Sequence, residues 1–409
     1  MLATLLPPAP RMSAPARPET RRIRTVRLEG WQDIPDLDNA WSALLQRARA
    51  GSVFQTLAWQ MCWWRAFGAP HELLVVLAFS GPRLVGVAPM MVYRSGPFGA
   101  GSIRFIGSPN HASDFCDFIV DPDVPEALDA LLENICGATH QFSRIDLSHF
   151  PGHSQNLHRA LDYFARRGLK ACADFEMDAP VRVLGDRQAD LKAAGKTSLK
   201  RHVAFFRKSG DLRFHRCTRM EEILGYLGEF FEQHKARWGR TSTPSQFGDP
   251  AQRRFYEDLV RELFPSGWLR FDVVLFNGQP LAFHFGFEYR RSFIYYKSTF
   301  DTRFAFKAPG EVMLKFLLDA AIEDKLDEFD FTVGSESYKY RFANRVRNVN
   351  RVLAFKSAHA YWLNRAAHNG KARLKRLLGR ARTTRPLAGP LPAGVPAGSE
   401  PQVVRGVSP

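Results

Sequence analysis

The sequence lacks any long apolar run. Its longest is seven residues, Leu73 to Phe79, and a helix that crosses a bilayer needs about 20. A transmembrane helix is therefore not expected. Cysteine is scarce: Cys62, Cys116, Cys136, Cys172 and Cys217 are the five, never closer than 20 residues apart. That spacing excludes a CxxC metal knuckle and a dense disulfide framework, and it suits a reducing, cytoplasmic compartment. HExxH, GxSxG and metal-spaced His/Cys clusters are missing, and the twelve histidines are scattered. Neither a metal nor a nicotinamide cofactor is expected. The opening MLATLLPPAP lacks a basic start and is broken by Pro7 and Pro8, which makes a poor signal peptide.

Acidic residues are in deficit, 41 against 57 Lys+Arg, for a formal net charge of +16 over 409 residues. The surplus is in the tails. Residues 1–27 hold six Arg and one Glu, and residues 361–409 hold nine Lys/Arg and one Glu, so +5 and +8 leave only +3 for residues 28–360. Such a body argues against a nucleic-acid partner. The last segment opens as a basic helix around Arg365, Lys371, Arg373, Lys375, Arg376 and Arg380. It then becomes PLAGPLPAGVPAGSEP, which cannot build a core and reads as disordered. Peripheral contact with an anionic membrane surface is the sharper reading of that tail. The N-terminal tail, 1–27, reads as disordered too.

What is present is a pattern used twice. HELLVVLAFSGPRLVGVAPMMVY reads as a hairpin turning at Gly81, and LRFDVVLFNGQPLAFHFGFEY as another turning at Asn277-Gly278. An aromatic helical segment precedes each, Trp59 to Phe67 and Leu227 to Trp238. Further strand, a helix (about 125–136 and 309–325) and a short strand with a central acid follow each. Those strands are RIDL, with Asp146, and EFDF, with Asp330. Helix, antiparallel strands, helix, strand, twice over, implies a duplicated α/β fold with mixed sheets. The expected halves are 28–178 and 179–360.

Two loops that resemble nucleotide sites fail on context. Gly195-Lys196-Thr197-Ser198 lacks the earlier P-loop glycine and sits in a helix-like run. Gly96-x-x-Gly99-x-Gly101 leads into strand residues 103–106, where a dinucleotide loop needs a helix. The segment Phe304–Met313 carries more chemistry. It follows a strand and opens a helix at Pro309, and Gly310 allows close approach to the first-turn amides, which favour phosphate. Lys307 stands beside that turn. The next strand runs into FDFTVGSESYKYRFAN, placing Glu336, Tyr338, Lys339 and Arg341 at a strand's C-terminal end, where α/β sheets hold ligands. Glu336 is a candidate base, and Lys339 a candidate oxyanion or phosphate group. His284, in LAFHFGF, is a second candidate base. The loop GSPNHASD, with His111 and Asp114, is a candidate acceptor lining. Trp59, Trp63 and Trp64 read as core rather than as a sugar platform.

Together, FQTLAWQMCWWRAFG, LVGVAPM, IGSPNHASDFCDF, HKARWG, LAFHFGF, KAPGEVMLKFLLDAA and above all FDFTVGSESYKYRFAN resemble the CelD-like acetyltransferases. That group belongs to the GNAT superfamily and is associated with cellulose and exopolysaccharide biosynthesis. The resemblance runs from about residue 40 to 345. It implies a tandem pair of GNAT folds, related to the Fem-type aminoacyltransferases, and transfer of an acetyl or other acyl group from acyl-CoA to an amine or hydroxyl. The acceptor would be a small molecule or glycan precursor. By the same resemblance the CoA pyrophosphate loop, Q/R-x-x-G-x-G/A in single-domain GNAT enzymes, corresponds to Arg303 through Lys307 and Ala308 to Gly310, with one glycine and a different spacing. Two rival readings remain open at this level: an aminoacyl-tRNA-dependent transferase of Fem type, and a non-catalytic GNAT-like scaffold of a polysaccharide-synthesis complex.

Overall fold

The structure is a computed structural model. It describes residues 22–367, apart from 34–35, 50, 95–100, 109, 111, 138–141 and 240–243. Met1–Ala358 is one compact unit and His359–Pro409 another. Of the second unit the described part is helical and ends at Ala367; most of the basic tail therefore lies outside the described residues.

The first half of the large unit contains β1 (Ile23–Arg27), α1 (Leu37–Arg47), α2 (Leu57–Phe67), β2 (Glu72–Ser80), β3 (Arg83–Tyr93), β4 (Ser102–Phe105), β5 (Ile119–Val120), α3 (Ala127–Gly137), β6 (Arg144–Pro151) and α4 (Gln155–Arg166). Then β7 (Lys170–Val183) leads to α5 (Arg187–Ala194), α6 (Thr197–Ser209), β8 (Leu212–Arg216), α7 (Met220–Trp238), α8 (Pro250–Leu263), β9 (Leu269–Phe276), β10 (Gln279–Tyr289), β11 (Ser292–Phe300), α9 (Pro309–Glu323), β12 (Glu328–Asp330), α10 (Ser337–Phe342) and β13 (Arg345–Phe355). The GKTS segment is not continuous helix: Gly195 caps α5, and α6 starts afresh at Thr197.

Thirteen strands form one mixed sheet in the order β1-β2-β3-β4-β6-β13-β7-β12-β11-β10-β9-β8, with β5 on β3; Ile23–Arg27, expected in a disordered tail, is instead its edge strand, held by antiparallel pairing with β2. The duplicated pattern is visible in it. Each half has an antiparallel hairpin, β2/β3 and β9/β10, and then a parallel pair, β4/β6 and β11/β12. The hairpin turns use the positive φ values of Gly81 (61°) and Gly278 (78°), which cost glycine little. The final strand, β13, lies between β6 and β7 and so joins the two halves into one sheet. The fold is thus a mixed α/β sheet with flanking helices, built as two copies of one pattern.

One core spans both halves. Trp41, Phe54 and Trp59 of the first half are buried with Phe230, Phe255, Phe271, Phe285 and Tyr296 of the second. Trp59 sits edge-on to Phe255 and to Phe287, each with ring centroids 5.5 Å apart. Packing of this kind fixes the halves' relative placement, because buried aromatics tolerate little displacement. Trp59 and Trp63 are core residues, as expected.

Candidate active site

The site forms where two strands part. β11 and β12 pair only through Ser292/Glu328, Phe293/Phe329 and Ile294/Asp330. Beyond Ile294 the edge of β11 facing β12 carries no ladder pairing, and a cavity of about 720 Å³ opens there. One wall is Tyr295 to Ser298. The other is Phe331 to Gly334 followed by Glu336, Tyr338 and Lys339. Helix α7 adds His234 and Arg237, and the first half adds Asn110, Asp114 and His149.

Local sequence explains each placement. Gly334 has φ 129°, and a Cβ there would stand 2.4 Å from Glu336 Oε2 and 2.9 Å from Lys339 Nζ. Glycine therefore makes room for the pair behind it. The chain then turns into α10, and the three-residue spacing of Glu336 and Lys339 brings Nζ to 3.0 Å from Oε2. Lys339 Nζ also donates to Val333 O at 2.7 Å and is buried, whereas Glu336 is half exposed. The loop bearing Asp114 is tied down by three core side chains. Trp59 Nε1 donates to Ser113 Oγ (2.9 Å), Trp63 Nε1 to Asn110 Oδ1 (2.8 Å) and Tyr296 Oη to Ala112 O (2.6 Å). Gly107, at φ 92°, permits the tight return, since a Cβ there would lie 2.0 Å from Ser113 Oγ.

The cavity's electrostatics are set by burial. Lys297 projects from β11 without an ion pair among the described residues, and its ammonium stands 4.5 Å from the centroid of the Tyr296 ring. Enclosure lowers its pKa from the usual lysine value and Lys339 adds to that, while Asp114 and Glu336 oppose it. Burial, with Lys297 and Arg237 nearby, pushes His234 down to about 3, so its imidazole is neutral at physiological pH; its Nδ1 lies 2.8 Å from Ser245 Oγ. Burial also raises the phenols of Tyr295 and Tyr338 and keeps both protonated. Arg237 donates to Ser298 O at 2.8 Å and stacks over Phe300, 4.4 Å from its centroid.

Of the residues singled out from sequence, Glu336, Tyr338, Lys339 and Asp114 meet in this one cavity. His284 does not. It is fully buried in β10 between Phe293 and Tyr295, with Nδ1 3.4 Å from Asp272 Oδ2, and it lines none of the cavity. Arg341 points away from the cavity, to Glu311 (2.8 Å) and Ser198 (3.1 Å). His111 lies outside the described residues, as do residues 96–100 of the glycine-rich loop. Arg303, Lys307, Ala308 and Gly310 gather at the start of α9, outside the cavity lining. There Pro309 occupies the first turn and Ala308 takes a left-handed φ of 51°. The space beside Gly310 belongs to Phe300, 3.3 Å from where a Cβ would stand. Phe300 is also the ring under Arg237, which lines the cavity. Lys297, His234 and Arg237 escaped the sequence reading. A lysine amid the aromatics of SFIYYKSTF, and the HKARWG run, were the available signals.

With this geometry in place, comparison with known proteins is informative. Residues 193–340 match the family described as Acetyltransferase (GNAT) domain. None of the curated proteins matches the chain. Among solved structures, FemX is 11% identical, with 78% of this chain and 96% of that one covered at a TM-score of 0.57. A conserved protein of unknown function from Bacteroides thetaiotaomicron is 14% identical, with coverage of 80% and 99% and a TM-score of 0.52. A C-terminal domain assigned to lysylphosphatidylglycerol synthetase, from Agrobacterium fabrum, is 13% identical, with coverage of 80% and 93% and a TM-score of 0.50. These likenesses show a shared fold over most of the chain. The residues that match the acetyltransferase model include β11, α9, β12 and the second-half walls of the cavity.

Proposed function

We propose that the chain moves an acetyl or other acyl group from acyl-CoA to an amine or hydroxyl, and that the cavity between β11 and β12 is where it does so. The observation that carries this reading is the unpaired edge of β11 beside a base and two ammonium groups. An open strand edge can bond the amides of an extended donor arm. At the start of α9 Pro309 has no N–H and the Glu311 and Val312 amides bond Ala308 O, which leaves the Gly310 amide, flanked by Lys307 and Arg303, to meet the donor's phosphates; Glu311 in the same turn is held by Arg341. The donor supplies an activated thioester carbonyl. The acceptor's nucleophile attacks that carbon, the C–S bond breaks, and the CoA thiolate leaves. Glu336, half exposed and already beside a cation, takes the acceptor's proton. Lys297, which has no carboxylate of its own among the described residues, and Lys339 face the developing oxyanion in an enclosed site where charge counts most. Asp114 and Asn110 line the acceptor side.

The resemblance to the CelD-like group supports an exopolysaccharide or cell-envelope precursor as acceptor, in the cytoplasm. The basic residues from 365 onward support contact with an anionic membrane face. Titration calorimetry with acetyl-CoA, longer acyl-CoAs and charged tRNA tests the donor. Binding of an acyl-CoA, weakened by Lys307→Ala, is the expected result. Binding of charged tRNA alone would replace the donor and favour Fem-type chemistry.

A further inference from the structure

The edge strand β8 runs into a His-x-Cys pair, His215 and Cys217, and α7 begins three residues later. Strand alternation puts both side chains on the sheet face that α7 covers. Arg216, between them, faces the other way, toward Asp324 (2.7 Å) and Asp272 (4.0 Å). Both positions are fixed by the sheet. His215 is in register with Val273, and Cys217 N donates to Phe271 O at 2.9 Å. Glu222, in the first turn of α7, reaches across to them. Its Oε1 lies 2.6 Å from His215 Nε2, and the sulfur of buried Cys217 stands beside them. The three candidate ligand atoms all lie within 4.8 Å of one another.

A nitrogen, a sulfur and an oxygen ligand thus converge on one point from two rigid elements. Zinc binds such atoms at about 2.0–2.3 Å, so its tetrahedral ligands stand about 3–4 Å apart. The observed spread needs only small side-chain rotations. The His215 side chain is 40% exposed, which leaves room for a water as fourth ligand.

We propose that His215, Cys217 and Glu222 form a binding site for a borderline-soft divalent cation, Zn²⁺ foremost, that pins β8 to α7. On binding, the Cys217 thiol proton leaves to solvent and the sulfur bonds the metal as thiolate. Glu222 exchanges its hydrogen bond with His215 for a metal bond, and His215 coordinates through Nε2 with its proton on Nδ1. Thiolate and carboxylate together balance the dication. Hard cations such as Mg²⁺ are disfavoured by the sulfur and nitrogen ligands. The site is independent of the acyl-transfer reading: Glu222 and His234 are twelve residues apart on α7, about 18 Å along the helix.

The test is titration of the reduced full-length chain with Co²⁺, followed by near-ultraviolet thiolate-to-cobalt charge-transfer absorption. One equivalent should saturate the band, and Zn²⁺ should abolish it by displacement. Cys217→Ser should remove the band, Cys172→Ser should leave it, and His215→Gln or Glu222→Gln should weaken binding at least tenfold. No band at one equivalent, or a band that survives Cys217→Ser, overturns the proposal. Should Cys217→Ser fail to fold, the partly exposed His215→Gln decides: parental cobalt affinity in that variant overturns it.

Discussion

The two copies of the fold differ most at the place where their parallel strands part. In the second copy, β11 and β12 separate after Ile294 and leave a cavity lined by charge. In the first, β4 and β6 pair only at Ser102/Arg144 and Ile103/Ile145, and the space beyond is filled. Cys116 N bonds His149 O at 2.9 Å, laying the loop along β6, and Phe118 packs 5.2 Å from Phe105 and 5.9 Å from Phe150. The central acids differ in the same sense. Asp146 is gripped by Arg351 through two 2.7 Å bonds, with Arg104 and Arg144 within 3.5 Å. Asp330 has the Thr332 amide at 2.7 Å, and burial pushes its carboxyl up to about 7. One copy has traded its notch for packing and lends its loop to the other copy's cavity.

That contrast can be broken by experiment. The largest effect expected is on turnover: Glu336→Gln and Lys297→Met should each cost on the order of 10²–10⁴ in rate with donor affinity retained. A near-parental rate in the double variant, measured on the true acceptor, would remove the chemistry from this cavity. Next is the sealed notch. Phe118→Ala should lower stability by about 3–5 kcal/mol, read by denaturant melts, while calorimetry still finds one donor site per chain. A second donor site would mean the first copy is merely blocked, not converted.

A third prediction concerns Asp117, buried beside that plug and raised to about 7 by burial. Its folded pKa exceeds the unfolded value near 4, so the stability tied to the protonated form is complete below about pH 4 and lost as pH rises toward 7. Relative to Asp117→Asn, the parent should lose up to about 1.4 kcal/mol per pH unit across that window. Parallel stability curves for the two proteins would refute the shift. Smaller still, Gly310→Val should weaken donor binding by about 1.5–3 kcal/mol per charge-assisted bond lost, with Gly310→Ala, which meets only the Phe300 ring edge, losing less. Unchanged calorimetric affinity in the valine variant would take the phosphates away from α9. The smallest expected effect is none: deleting 384–409 should leave the melting temperature where it was.

Much of this was legible in the chain. Both hairpins, the helices on either side and the closing strands follow from apolar runs punctuated at Gly81 and Gly278. The meeting of Glu336 with Lys339 follows from a three-residue spacing after a glycine. Lys297 was illegible because its meaning depends on where β12 leaves β11, a tertiary event that no local pattern records. His284 looked reactive in sequence because Asp272, its partner across the hairpin, is invisible until β9 and β10 are in register. Gly310 read as a place of close approach, and what could not be read is that Phe300, from the preceding strand's end, stands 3.3 Å from where its Cβ would be.

The position of β13 has a consequence for how the protein is made. This strand pairs β6 on one side and β7 on the other, yet it is the last of the thirteen to be synthesised. Until residue 355 has cleared the ribosome, the facing edges of β6 and β7 have no partner, although everything before them is available to fold. Each open edge is a template for another chain. Emerging molecules therefore pass through a stage, lasting the synthesis of some 170 residues after β7, at about 5–20 residues per second, in which a nearly complete first copy waits with its flank exposed.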